Sequence, residues 1–168
     1  GSLASPQVDF TYDAAGNLVS VTDERGHITS TVFDALNRRL SWTDPLGHTA
    51  SFSYDSVGRI SSQTDELGRV TTFAYDRLDR RISITQPDPD TSGPLAVPVT
   101  SFTYDLVGNQ TSKTDARGNT EIYRYDMLNR QVETEDAYGD KANAVYDAVG
   151  NLLSRTDKRG QTTDFAYD

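Results

Sequence analysis

An aromatic residue followed by Asp returns along this chain at Tyr12-Asp13, Phe33-Asp34, Tyr54-Asp55, Tyr75-Asp76, Tyr104-Asp105, Tyr125-Asp126, Tyr146-Asp147 and Tyr167-Asp168. Six of the seven intervals are 21 residues and the fourth is 29. A fixed period of about 20–50 residues marks a repeat architecture, in which one supersecondary unit is stacked on copies of itself. Any fold assigned to the 168 residues must therefore be built from a unit of that length.

Each Asp of these pairs opens a four-residue string that closes on Gly16, Asn37, Gly58, Asp79, Gly108, Asn129 or Gly150. Gly, Asn and Asp are the residues that most readily take positive φ, so the string reads as a hairpin turn with a left-handed position. A second Asp-x-x-Gly follows within the unit, from Asp23 to Gly26, Asp44 to Gly47, Asp65 to Gly68, Asp115 to Gly118, Asp136 to Gly139 and Asp157 to Gly160. Asp44-Pro45-Leu46-Gly47 places Pro where a type I turn wants φ near −65°. An Asp at the first turn position is expected to accept hydrogen bonds from backbone N–H groups of the turn.

About six or seven residues lie between successive turns, which is a strand length and too short for a helix. Phe10/Tyr12, Phe52/Tyr54, Phe73/Tyr75, Phe102/Tyr104, Tyr123/Tyr125 and Phe165/Tyr167 sit two apart and so share one face of a strand. The residues between them (Thr11, Ser53, Ala74, Thr103, Arg124 and Ala166) are mostly small or polar. Only 35% of the chain is hydrophobic, with one Met and one Trp. The aromatic column is therefore expected to supply the main stabilising burial, roughly 1.5–3 kcal/mol per buried ring.

The predicted fold is all-β: tandem antiparallel hairpins joined into a continuous sheet of about fifteen strands. Each strand pair adds about 20–25° of twist, so a sheet of that width is expected to curve or spiral as an open arc. A β-propeller would use two units per blade, but it must change connection type between blades, and every connection here carries the same tight-turn signal. Residues 1–7 read as a leader, with Gly1-Ser2 a cloning remnant, and 8–168 as the array. The exception to the period is a Pro-rich insertion at about 86–99, including Gln86-Pro87-Asp88-Pro89-Asp90-Thr91-Ser92-Gly93-Pro94 and Pro98. Proline cannot join a central ladder, so the insertion is expected to be a surface loop at a strand tip, with a docking or hinge role as the alternative.

A net charge of −9 offers phosphates no basic footprint, so nucleic-acid binding is not expected. Cysteine is absent, which removes disulfides, thiolate catalysis and cysteine metal sites. No apolar run approaches the ~20 residues of a membrane span, and no signal peptide is visible. The Asp-x-x-Gly turns offer one carboxylate each rather than the dense oxygen cluster of a calcium loop. His27 and His48 follow the second-turn Gly in adjacent units and could stack on one rim as a chelating or pH-sensing pair. Arg69, Asn119, Asp140 and Gln161 occupy the equivalent places, which favours a tolerant polar position. No Ser is written into a nucleophile motif with a His. The reading is of a non-enzyme without metal, cofactor or catalytic residues.

The unit Tyr-Asp-x-x-Gly-Asn-Leu, then Thr-Asp-x-x-Gly and Phe-x-Tyr-Asp, stands nearly whole from Tyr146 to Asp168 and resembles the YD or Rhs repeat. The likeness runs from about residue 8 to 168. Phe33 in place of Tyr, Ala144 in place of an aromatic and Glu135 in place of Thr depart from the pattern. This resemblance implies β-hairpins wound into a large shell that encloses a cargo polypeptide, such as a C-terminal toxin of Rhs polymorphic toxins or the enzyme part of insecticidal Tc toxins; teneurins use a similar barrel at cell surfaces. It further implies a structural segment of a secreted or surface bacterial protein, partnered by further repeats and by the enclosed cargo. The alternative is a cell-surface carbohydrate- or protein-binding module, since choline- and glucan-binding repeats are also about 20 residues long; those build ligand cages with Trp, and this chain has only Trp42. Unpaired edge strands at the ends of an arc would favour self-association.

Overall fold

The computed structural model describes residues 7–90, 93 and 95–168. The leader residues 1–6, and Thr91, Ser92 and Pro94 of the insertion, lie outside the described residues. The described residues form fifteen strands and no helix: β1 (Asp9–Tyr12), β2 (Leu18–Thr22), β3 (Ile28–Phe33), β4 (Arg39–Thr43), β5 (Thr49–Tyr54), β6 (Ile60–Thr64), β7 (Val70–Tyr75), β8 (Arg81–Thr85), β9 (Val99–Tyr104), β10 (Gln110–Thr114), β11 (Thr120–Tyr125), β12 (Gln131–Glu135), β13 (Lys141–Tyr146), β14 (Leu152–Thr156) and β15 (Thr162–Asp164).

The chain divides into two compact units, one made by the residues up to Phe73 together with Gln86–Val97, the other by Ala74–Thr85 and Pro98–Asp168. In the first unit β1 to β7 pair antiparallel, each with the next in chain order. The second unit repeats the arrangement from β8 to β15. Nothing crosses over, because turns this short can join only neighbouring antiparallel strands.

The two turn classes leave different marks on the ladder. After an aromatic-Asp turn the pairing steps by one residue: Tyr54 faces Ile60 while Ser53 faces Ser62, so Ser61 is an extra residue. The same bulge falls at Leu40, Thr111, Val132 and Leu153. The second turn class resumes without a step, as where Thr43 faces Thr49 and Trp42 faces Ala50. A bulge raises local right-handed twist, so each of these hairpins carries a built-in twisting element. Across the insertion, Thr85 still pairs with Val99 and Ile84 with Thr100, so the ladder passes from β8 to β9 without a break.

The expected burial of the aromatic column is corrected by the structure. No described residue is fully buried. Phe33, Tyr54, Tyr75, Tyr104, Tyr125 and Tyr146 are half-buried, and Tyr12 and Tyr167 are exposed. The accessible surface is 11871 Å², against the roughly 8,200 Å² that a compact monomer of this mass exposes. A single layer of sheet has no second layer to cover its faces. Backbone ladders and cross-strand side-chain pairs therefore carry more of the stability than a core does. Hydroxyl pairs such as Thr43–Thr49, Thr114–Thr120 and Thr156–Thr162, each at 2.9 Å, recur where a second-class turn closes.

Candidate functional site

The chemically dense part of the molecule is its turns. Asn37, Asp79 and Asn129 have φ of 60–62°, and Gly16, Gly26, Gly47, Gly58, Gly68, Gly108, Gly118, Gly139, Gly150 and Gly160 have φ between 77° and 102°. In each turn the N–H of that residue donates to the Asp carbonyl at 2.9–3.3 Å, and the Asp N–H donates to the carbonyl of the residue that follows the turn at 2.8–3.0 Å.

The Asp carboxylate completes the loop. Oδ1 of Asp34 accepts the N–H groups of Leu36 and Arg38 at 2.8 and 3.0 Å, and Oδ2 accepts Arg38 Nε at 2.7 Å. Asp126 does the same with Leu128 and Arg130. The Arg38 and Arg130 backbone N–H groups, helped by the guanidinium of the same residue, hold these carboxyls below the usual carboxylate range against partial desolvation. Asp13 is lowered chiefly by the Asn17 side chain. These aspartates are thus consumed by their own turns.

On the rim formed by the aromatic-Asp turns, the residue after the turn reaches across to the next hairpin. The guanidiniums of Arg38, Arg80 and Arg130 lie 4.4, 4.7 and 4.9 Å from the ring centres of Tyr54, Tyr104 and Tyr146. Arg80 and Arg130 also donate to the carbonyls of Asp105 and Asp147, at 2.9 and 2.7 Å. Where Asn replaces Arg, its amide finds a different acceptor: Asn17 donates to Asn37 at 2.8 Å and Asn109 to Asn129 at 3.0 Å. The tyrosines add a second tie, since the hydroxyls of Tyr54, Tyr104 and Tyr125 donate to the carbonyls of Arg39, Arg81 and Gln110 at 2.8–2.9 Å. Arg39 and Gln110 directly precede a bulge residue. At Tyr54, Tyr104, Tyr125 and Tyr146 the aromatic of the pair therefore couples neighbouring hairpins. Reading the sequence by its aromatics and turn residues overlooks the Arg or Asn partner. The signal was available: Asn17, Arg38, Arg59, Arg80, Asn109, Arg130 and Asn151 recur with the same period.

On the opposite rim His27 and His48 each place Nδ1 2.9 Å from Oδ2 of their own turn residues, Asp23 and Asp44. The Asp44 hydrogen bond and charge raise the His48 pKa. The imidazoles serve their separate turns, and among the described residues no group of three or more His, Cys, Asp or Glu is placed to hold a metal ion. On the strands of the second unit, Arg124 pairs with Glu133 and, at 2.9 Å, with Glu135, while Lys141 lies 3.0 and 3.4 Å from the same two carboxylates. Tyr123 donates to Glu121 at 2.6 Å. Burial, and then that carboxylate, push the Tyr123 pKa up to about 12. A shallow depression of about 210 Å³ is lined by Asp115, Asn119, Glu121, Asp136 and Tyr138. Tyr138 is largely exposed beside it.

Comparison with known proteins adds the following. The model of the RHS repeat family matches residues 12–49, 33–64, 54–91, 99–141 and 146–168. No curated protein matches. A Photorhabdus luminescens Tc holotoxin pore is similar at a TM-score of 0.72 and 19% identity, over 94% of this chain and 9% of that one. The crystal structures of TcdB2-TccC3-Cdc42 and of TcdB2-TccC3 without its hypervariable C-terminal region are similar at TM-scores of 0.57 and 0.55 and identities of 17% and 16%. Each of these two covers 96% of this chain and 10% of that one. At such identities the likeness bears on fold alone, and this chain spans about a tenth of the length of those it matches.

Proposed function

Because the chain belongs to the RHS repeat family, we propose that it is a non-catalytic length of wall, one segment of a shell that encloses a toxin or other polypeptide cargo within a longer, secreted or surface-displayed bacterial protein. The observation that carries this reading is the hairpin-to-hairpin tie on the rim. Asn17, Arg38, Arg80, Asn109 and Arg130 each reach from their own repeat to the following one, a nearest-neighbour tie by which a wall can be lengthened without redesign. A sheet in which no described residue is fully buried suits a partition better than a site that must hold a reactant in place. The turn carboxylates, engaged by backbone N–H groups, are poorly placed for acid–base work. In this reading residues 8–168 are one array of seven to eight units, the insertion at about 86–99 is a surface loop, and no cofactor takes part.

The test is protection of the cargo. In the parent protein, deletion of this array is expected to expose the enclosed segment to protease under native conditions, while the intact protein keeps it resistant. Equal resistance with and without the array would exclude the wall role.

A second reading, a carbohydrate-binding surface, is favoured by Tyr138 standing beside a depression lined with amide and carboxylate groups, since an aromatic face and fixed polar groups are the elements of a sugar site. Saturable binding on a glycan array, abolished by Tyr138→Ala, would establish it. Binding unchanged in that variant would remove it.

A further inference from the structure

The two central residues of each turn face solvent, and in the second unit those of the two rims differ in composition. In the second unit the large apolar residues at the centres of the aromatic-Asp turns are Leu78, beside the charged Arg77, then Leu106 and Val107, then Met127 and Leu128, then Val149. All six are exposed, with Leu106 and Met127 as open to solvent as in an extended peptide, at 101% and 102%. The opposite rim of the unit presents Arg117, Tyr138, Lys158 and Arg159 at its turns. The apolar row exceeds what isolated surface residues make, and its area is on the order of several hundred Å², the size at which an exposed patch marks an interface.

We infer that this row is a self-complementary docking ridge whose occupant is the same row of a second copy of this chain, in an antiparallel twofold arrangement. Three observations select that occupant. The first is period: tips on one rim are two strand spacings apart, roughly 9.5 Å. A row with the same period seats its Leu, Met and Val side chains in the gaps, which a partner of another repeat length does not. The second is charge. The chain carries −9 overall, which keeps copies apart, yet the central residues of the turns at 105–108, 126–129 and 147–150 are uncharged, and their aspartates are bound within the turns. The third is area: two such rows together bury on the order of 1,000 Å², near the lower bound for a specific interface. A twofold axis between the second and third tips brings Val107 of one copy to Leu128 of the other.

Sedimentation equilibrium over a concentration series tests this. The unaltered chain is expected to dimerise, and Val107→Asp with Leu128→Asp to raise the dissociation constant by more than about tenfold, with the circular dichroism spectrum unchanged, since turn positions tolerate Asp. Thr11→Lys with Thr163→Lys, on strands β1 and β15, is expected to leave the dimer in place. As a check independent of those variants, a chain carrying Val107→Cys and Leu128→Cys, otherwise free of cysteine, is expected to form covalent dimers on oxidation. Within one copy the two tips are beyond disulfide reach. A Tyr138→Cys chain, altered on the opposite rim, is expected to form none. A wild-type chain that stays monomeric throughout, a dimer that survives the Asp variant, failure of the Val107/Leu128 pair to cross-link, or flotation of monomers on neutral vesicles in place of dimerisation would each overturn the inference.

Discussion

Asn37 stands where most of these turns close on glycine, and its neighbour explains the choice. Its φ of 60° lies in the left-handed region that asparagine tolerates, and its Oδ1 accepts the Asn17 amide of the preceding hairpin. Asn37→Ala is expected to cost about 1–2 kcal/mol, since alanine strains that backbone and offers no acceptor. Asn37→Gly relieves the strain but still loses the tie, so it should fall between the two in urea denaturation. The turn aspartates predict a pH dependence. At Asp34, Asp65 and Asp126 the folded pKa is lowered, chiefly by a backbone N–H of the residue after the turn. A lowered carboxylate pKa means stability that is complete above the unfolded value of about 4 and drains away as pH falls through the folded value. Thermal midpoints are expected to be level from neutral pH down to about 5 and to drop steeply below about 4. A midpoint that rises in acid would contradict the role given to these carboxylates.

At the scale of the hairpin, the tyrosine hydroxyl is the tie most open to measurement. Tyr125→Phe removes the donor to the Gln110 carbonyl at 2.9 Å and leaves the ring. The expected loss is about 0.5–1.5 kcal/mol, with faster amide exchange concentrated in β10 and β11. The insertion offers the opposite experiment. Because Thr85 and Val99 already pair across it, replacing Gln86–Pro98 with a five-residue Asp-x-x-Gly-x turn should preserve the ladder and shorten the closed loop, raising the stability read from urea denaturation by about 0.6 kcal/mol per halving of loop length. Loss of folding on that replacement would mean the loop holds strands together.

At the scale of the whole molecule, that no described residue is fully buried governs how substitutions register. A ring such as Phe52 is half-buried on one sheet face, with Arg39 4.8 Å from its centre. Phe52→Ala is therefore expected to cost about 1–3 kcal/mol, below the 3–5 usual for a packed core, as measured by urea denaturation. Stability should instead scale with repeat number, as nearest-neighbour ties accumulate. Removing β14 and β15 is expected to lower the midpoint while the preceding hairpins remain folded.

The positions of the reversals, the lengths of the strands and their order could be read from the residues alone, because a left-handed turn residue after an Asp is a local demand that little in the surroundings can override. Family membership followed from the same spacing. The bulge after each aromatic-Asp turn was not legible, since Leu40 or Ser61 looks like any other strand residue until the partner strand fixes the register. Nor was the fate of the rings: alternation says which residues share a face, but whether that face is covered depends on what packs against it, and no described ring is fully buried. The coupling of Arg38 to Tyr54, or of Asn17 to Asn37, likewise belongs to the tertiary structure, because it exists only where strand spacing brings residues about 16–20 positions apart within a side chain's reach.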